Sequence, residues 1–100
     1  MDDARVEKTY STSPDQINHD IGVYIFWGWD DKPIRIGKAV KVRNRVLSYR
    51  KPITQGGLPV VIEQSQYVSY IRTKDKRKAS DLEIALIRKY RPKFNKQYND

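Results

Sequence analysis

Glu83 stands in the run Leu82-Glu83-Ile84-Ala85-Leu86-Ile87, and its surroundings leave few chemical explanations for it. The stretch from Ala79 to Tyr90 reads as a core helix, apolar almost all round and ended by Arg91-Pro92. A carboxylate one turn before Leu86 and Ile87 cannot easily face bulk water. Burying it is costly unless it is capped, paired or bound to metal. Two readings stand. Ser80-Asp81-Leu82-Glu83 fits the S-x-x-E capping box, in which the glutamate satisfies a backbone N–H at the helix start. Alternatively Glu83 is a metal ligand or general base facing a basic surface, where a divalent cation and a phosphate can meet. The chain has no cysteine and a single histidine, His19, which removes thiolate sites and His-based zinc clusters. Any metal here is a hard cation held by oxygen.

The cations supply the other half of that chemistry. From Lys32 to Ile62 there is no Asp or Glu, while Lys32, Arg35, Lys38, Lys41, Arg43, Arg45, Arg50 and Lys51 fall inside the window. Lys74, Lys76, Arg77 and Lys78 form a second cluster, relieved only by Asp75, and Arg88, Lys89, Arg91, Lys93 and Lys96 a third. A net charge of +8 with tyrosines interleaved is the electrostatic footprint of a nucleic-acid binder. A solvated basic face serving solubility is the plainer alternative.

These side chains need elements to hold them. Gly22-Val23-Tyr24-Ile25-Phe26-Trp27 is strand-like in its β-branched and aromatic content, Asp30-Asp31-Lys32-Pro33 is turn chemistry, and Ile34-Arg35-Ile36 is the returning strand of a hairpin. Period-two alternation predicts Ile34 and Ile36 on one face, and Arg35 and Gly37 on the other. Gly37 is expected to end the strand, with a helix over Ala39–Arg50 whose Val42, Val46 and Tyr49 form an i, i+4, i+7 apolar stripe. Lys38, Lys41 and Arg45 line the neighbouring face, and Pro52 stops the helix. Residues 53–65 stay open between a short helix and a strand around Pro59-Val60-Val61-Ile62. Tyr67 to Arg72 alternates as a strand.

One hundred residues make a single domain with one small core. Residues 1–19 read as a polar extension that packs loosely, with a helix start at Ser13-Pro14-Asp15, and residues 20–100 as the domain proper. The 11% aromatic content argues against disorder. No apolar run is long enough to span a membrane and no signal peptide is evident, so a soluble, cytoplasmic chain is expected.

In order along the chain, Gly22-Val23-Tyr24 and Arg35-Ile36-Gly37 resemble the paired tripeptides that name the GIY-YIG nucleases. Lys38 to Tyr49, KAVKVRNRVLSY, is similar to the first helix of the N-terminal nuclease domain of UvrC. Leu82-Glu83 with Leu86 to Asn95 resembles the glutamate helix and closing Arg-Pro-x-Tyr-Asn run of that domain. The resemblance covers roughly residues 20–95. It implies an α+β fold, a small three-stranded antiparallel sheet in the order β-β-α-β-α flanked by helices. It also implies a metal-dependent endonuclease acting on duplex or branched DNA with Mg²⁺ or Mn²⁺. Position by position, Tyr24 matches the tyrosine that activates or positions water, Arg45 the arginine that holds the scissile phosphate, Glu83 the ligand of one divalent metal, and Asn95 the asparagine that braces the site. Lys38 and Tyr49 match positions that line the cleft, and with Lys41, Arg43, Arg50 and Lys51 they are the expected DNA-binding residues.

Arg35 is the departure, because the motif carries tyrosine there. Lysine occurs at this place in some relatives, and a cation can stabilise a nearby tyrosinate or contact phosphate, so Arg35 is read as the substitute for the second tyrosine. Loss of the phenol leaves open the alternative of a catalytically inactive nucleic-acid-binding module on the same fold. Trp27 and Trp29 are expected to pack in the hairpin, with base stacking an alternative for Trp29. His19 has no assigned role.

Overall fold

The computed structural model describes residues 5–9 and 20–95. Strands β1 (Arg5–Thr9), β2 (Gly22–Gly28), β3 (Pro33–Ala39) and β4 (Ser65–Arg72) form one antiparallel sheet, in the order β1-β4-β2-β3. Helix α1 (Val42–Ser48) and the short helix α2 (Pro59–Gln64) follow β3, and α3 (Lys76–Tyr90) follows β4. The expected three strands and their α+β setting are present. Arg5–Thr9 adds a fourth strand by pairing with β4, in a stretch the sequence reading left as a loose extension. The expected helix start at Ser13-Pro14-Asp15, and His19, lie outside the described residues.

Each face of the sheet has its own core. Tyr24, Phe26, Val68 and Tyr70 pack against Val42, Val46 and Tyr49 of the α1 turn and against Val61 of α2. Val23, Ile25, Ile36 and Ile71 pack on the other face against Ala79 and Ile87 of α3. The sequence stripe of Val42, Val46 and Tyr49 is buried throughout.

Three sequence expectations need correction. Ile34 and Ile36 do not share a face: the β2–β3 register slips between Phe26 and Trp27, and this bulge puts Ile34 with Tyr24 and Phe26 while Ile36 stays with Ile25. Alternation along one strand cannot foresee an extra residue in a pairing. Second, β3 runs on through Gly37 to Ala39, and α1 begins only at Val42, where the Val42 N–H donates to the Asp20 carbonyl at 3.2 Å. Third, α3 begins at Lys76 under an Asp75 cap whose Oδ1 accepts from the Lys78 N–H at 2.8 Å. Ser80 and Glu83 are therefore already inside the helix, and the capping-box reading of Glu83 is excluded. The open stretch around Pro59 is helical, with proline in the first turn, where its missing N–H costs nothing.

Candidate active site

β3 is an edge strand, and the outward-facing polar groups of its alternate residues are taken up in turn. The Phe94 N–H donates to the Ile34 carbonyl at 3.0 Å. The Asn95 side chain clasps Ile36 from both ends, its Oδ1 accepting from the Ile36 N–H and its Nδ2 donating to the Ile36 carbonyl, each at 2.8 Å. The Lys38 backbone N–H donates to the Glu83 carboxylate. Glu83 and the closing Phe94-Asn95 segment thus cover the sheet edge side by side, which also shields it from pairing with another strand.

Glu83 occupies the middle of the buried stripe of α3, between Ala79 and Ile87, and is 4% exposed. The Lys38 ammonium lies 4.0 Å from its Oε1 and donates to the Ser80 hydroxyl at 3.1 Å. Burial raises the Glu83 pKa above the ordinary carboxylate value, against the opposing charges of Lys38 and Arg35 and the Lys38 N–H. Among the described residues no three His, Cys, Asp or Glu side chains gather as a cluster. A cation held by Glu83 would therefore keep most of its coordination for water and substrate oxygens, as Mg²⁺ commonly does.

On the α1 side of β3 lies a set of hydroxyls and guanidinium groups. Tyr24 reaches from β2 across the strand beside it, so that a Cβ at Gly37 would come within 2.1 Å of the Tyr24 hydroxyl oxygen. Glycine is required there by that close approach. The Tyr24 and Tyr49 hydroxyls are 2.7 Å apart, with their rings packed edge to face at 5.6 Å. Arg35 Nε donates to the Tyr49 hydroxyl at 2.8 Å, and its Nη1 donates to the Phe94 carbonyl at 2.8 Å. The Arg45 guanidinium lies 5.3 Å from the centre of the Tyr49 ring, and its charge acts on the Tyr24 phenol.

Burial pushes the Tyr24 phenol well above its usual pKa, Tyr49 adds to the shift, and Arg45 only partly offsets it. Burial therefore favours the phenol form of Tyr24 over the phenolate in this arrangement. Burial also works against the charge of Arg45, but the neighbouring Tyr24 and Tyr49 outweigh it and hold its pKa up.

The expected site residues Tyr24, Arg35, Arg45 and Tyr49 come together on one side of β3, and Glu83, Asn95 and Lys38 along its edge. Tyr49 is 2% exposed, and its hydroxyl is engaged with Tyr24 and Arg35. Lys41, Arg45, Arg50 and Lys51 are exposed around α1, and Arg43 is half-buried. Two contributors were missed in the sequence. The Phe94 carbonyl is invisible to any reading of side-chain types. Gly37 was read as a strand terminator, although its pairing opposite Tyr24 across the hairpin was a signal that it seats that ring.

The model of the UvrC-like GIY-YIG domain matches residues 20–96. The UvrABC system protein C of Methanothermobacter thermautotrophicus is 33% identical over 87 residues, covering 87% of this chain and 15% of that protein. Excinuclease cho of Escherichia coli is 39% identical over 77 residues, covering 76% of this chain and 25% of its own length. The chain therefore spans a quarter or less of these curated relatives. Among solved structures, the N-terminal endonuclease domain of UvrC from Thermotoga maritima, bound to magnesium as its catalytic divalent cation, superposes with a TM-score of 0.72 at 39% identity. That match covers 79% of this chain and 86% of the other. With its core elements, edge-strand clasp and tyrosine network in place, the chain belongs to the family of UvrC-like GIY-YIG domains.

Proposed function

We propose that the protein is a metal-dependent endonuclease that hydrolyses DNA phosphodiester bonds. The observation that carries this is Glu83, a carboxylate on the buried stripe of a core helix whose Oε1 lies 4.0 Å from the Lys38 ammonium at a cationic sheet edge. Binding alone does not require such a group, and a buried carboxylate costs stability unless something it holds compensates. The donor set, one carboxylate with room for oxygen ligands from water and phosphate, fits Mg²⁺, with Mn²⁺ as its substitute. When bound, the cation supplies charge stabilisation to the phosphoryl and departing oxygens.

The chain's own groups divide the remaining work. Arg45, exposed on α1, offers a planar fork of donors to the scissile phosphate. Tyr24, held as a phenol, orients the attacking water through its hydroxyl, and proton removal from that water follows only where added positive charge offsets its burial. Tyr49 and Arg35 position the Tyr24 hydroxyl, and Asn95 fixes β3, which carries Arg35, Gly37 and Lys38. Lys41, Arg43, Arg50 and Lys51 add sequence-independent, salt-sensitive affinity for the backbone. Duplex and branched DNA are both candidate substrates, and the likeness to UvrABC system protein C supports a role in DNA repair.

The test is a plasmid-nicking and branched-DNA cleavage assay with Mg²⁺ or Mn²⁺, comparing wild type with Glu83→Ala. Cleavage that needs metal and is lost in the variant supports the reading. Binding without cutting in either metal, unchanged by the substitution, would instead identify a non-catalytic module.

A further inference from the structure

The two tryptophans of the hairpin, expected to pack alike, have separated. Trp27 stacks on Tyr67 with ring centres 5.8 Å apart, and its Nε1 donates to the Ser69 hydroxyl at 2.8 Å. Trp29 belongs to neither core cluster and is 73% exposed. It stands on the rim of a cleft of about 600 Å³, between the hairpin tip and the ends of α2 and α3. That volume lies in the range of small-ligand sites. Tyr90, 40% exposed, also lines it.

The chemistry of the cleft is mixed in an informative way. Lys32 and Lys93 bring positive charge, while Asp30, Glu63 and Gln64 bring acceptors. A groove meant only for phosphates would not carry carboxylates, because they repel the backbone. Carboxylates and a side-chain amide do suit the exocyclic amines of nucleobases, while an exposed indole suits any base face. The cleft also adjoins the candidate active site. Ile34 and Lys93 line it, and the next residue on each segment, Arg35 and Phe94, is joined by the Arg35 Nη1 to Phe94 carbonyl bond. A strand lying across the site therefore reaches this cleft about one residue of protein away. That continuity favours nucleic acid over a separate protein partner.

We propose that this cleft is a nucleobase subsite. It takes one unpaired base of the strand flanking the scissile phosphate, stacked on Trp29, with Lys32 and Lys93 meeting the adjoining phosphates. This rests on the endonuclease reading for its placement, but its recognition chemistry can be tested without cleavage. The site selects DNA that offers an unstacked nucleotide, such as a bulge, a frayed end or a single strand, over intact duplex.

The experiment measures binding by fluorescence anisotropy in EDTA, so that no cleavage occurs. The probes are a single-stranded oligodeoxycytidylate, whose bases carry an exocyclic amine, and an abasic oligonucleotide of the same length and charge. Aromatic stacking of a base is worth about 1–3 kcal/mol, so wild type should prefer the base-bearing strand by roughly 5- to 150-fold. Trp29→Ala should erase that preference while leaving affinity for the abasic strand and its salt dependence unchanged. Trp29→Phe should keep part of the preference. Because Trp29 is exposed, thermal melts of the variants should match wild type, which separates lost stacking from lost folding. Equal binding of the two probes by wild type overturns the subsite. So does a Trp29→Ala loss that is equal for both, or a dimer in sedimentation that Trp29→Ala dissolves, which would make the face a contact between copies. A base-dependent preference in a chain that never cuts leaves the subsite standing and removes the nuclease, whereas cutting without the preference does the reverse.

Discussion

The Nε of Arg35 lies 2.8 Å from the Tyr49 hydroxyl oxygen, and this contact ties β3 to the paired hydroxyls of Tyr49 and Tyr24. A guanidinium has donors only. Tyr49 therefore accepts from Arg35, and its hydroxyl lies 2.7 Å from that of Tyr24, where either can donate. Arg45 brings positive charge to Tyr24 and partly opposes the rise in its pKa. A tyrosine at position 35 could accept as readily as donate, whereas Arg35 can only donate to the Tyr49 hydroxyl.

Arg35→Gln keeps a polar side chain but loses the charge and the fixed polarity. A hydrogen bond to a charged group is worth about 1.5–3 kcal/mol, so kcat should fall roughly 10- to 100-fold. KM and DNA affinity should change little, because two of the Arg35 donors are engaged inside the protein. Arg35→Lys should recover part of the loss. A parallel loss of DNA affinity in Arg35→Gln would show the residue to be a phosphate anchor.

Glu83 should make stability depend on pH and metal in opposite senses. Burial raises its folded-state pKa, so the folded chain binds that proton more tightly than the unfolded one. Its contribution is greatest below the unfolded value near 4.5 and is lost as pH rises through the folded value. In EDTA at pH 8, Glu83→Gln should therefore melt above wild type, with the gap closing in acid. Mg²⁺ at tenfold its Kd should stabilise wild type by about 1.4 kcal/mol, a shift of several degrees, and leave the variant unmoved. A variant that melts below wild type in EDTA at pH 8 contradicts this account.

What could be read from the sequence was what depends on local pattern. Val42, Val46 and Tyr49 are spaced for one buried helix face and occupy it. The anomaly of Glu83 is also local, since it needs only an apolar run interrupted by a carboxylate. The failures are non-local or competitive. The bulge that moves Ile34 belongs to a strand pairing, not to β3 alone. Ser80 lost the helix start to Asp75, because two residues could cap it and sequence alone does not rank them by what packs behind. Asn95 meets Ile36 across 59 residues of chain, and only the resemblance to known nucleases drew attention to it.

Gly37→Ala tests whether the seat of the Tyr24 ring matters. The glycine does not occupy the left-handed region, so alanine is acceptable to the backbone. Its Cβ would instead fall 2.1 Å from the Tyr24 hydroxyl oxygen and 2.3 Å from the ring carbon bearing it. Displacing the ring should cost about 1–3 kcal/mol of stability and remove most cleavage activity. In a Tyr24→Leu background the same substitution should be nearly neutral in urea unfolding. An equal cost in both backgrounds would show that the constraint lies elsewhere.

Asn95→Asp separates the bracing of β3 from mere packing. The asparagine, 2% exposed, gives one acceptor and one donor to the same residue, so Ile36 depends on both ends of a neutral amide. Aspartate matches its shape, but once ionised it has no donor and sets an oxygen against the Ile36 carbonyl. Leaving such buried groups unpaired costs about 1–3 kcal/mol each. Asn95→Asp should therefore be strongly destabilised at pH 7 and partly restored as the pH falls toward 4, where a protonated carboxyl can again donate. Asn95→Ala should be destabilised at both pH values alike. Chemical denaturation of the two variants at pH 4 and pH 7 decides it, and a pH-independent loss in Asn95→Asp would mean that the donor half of the clasp contributes nothing.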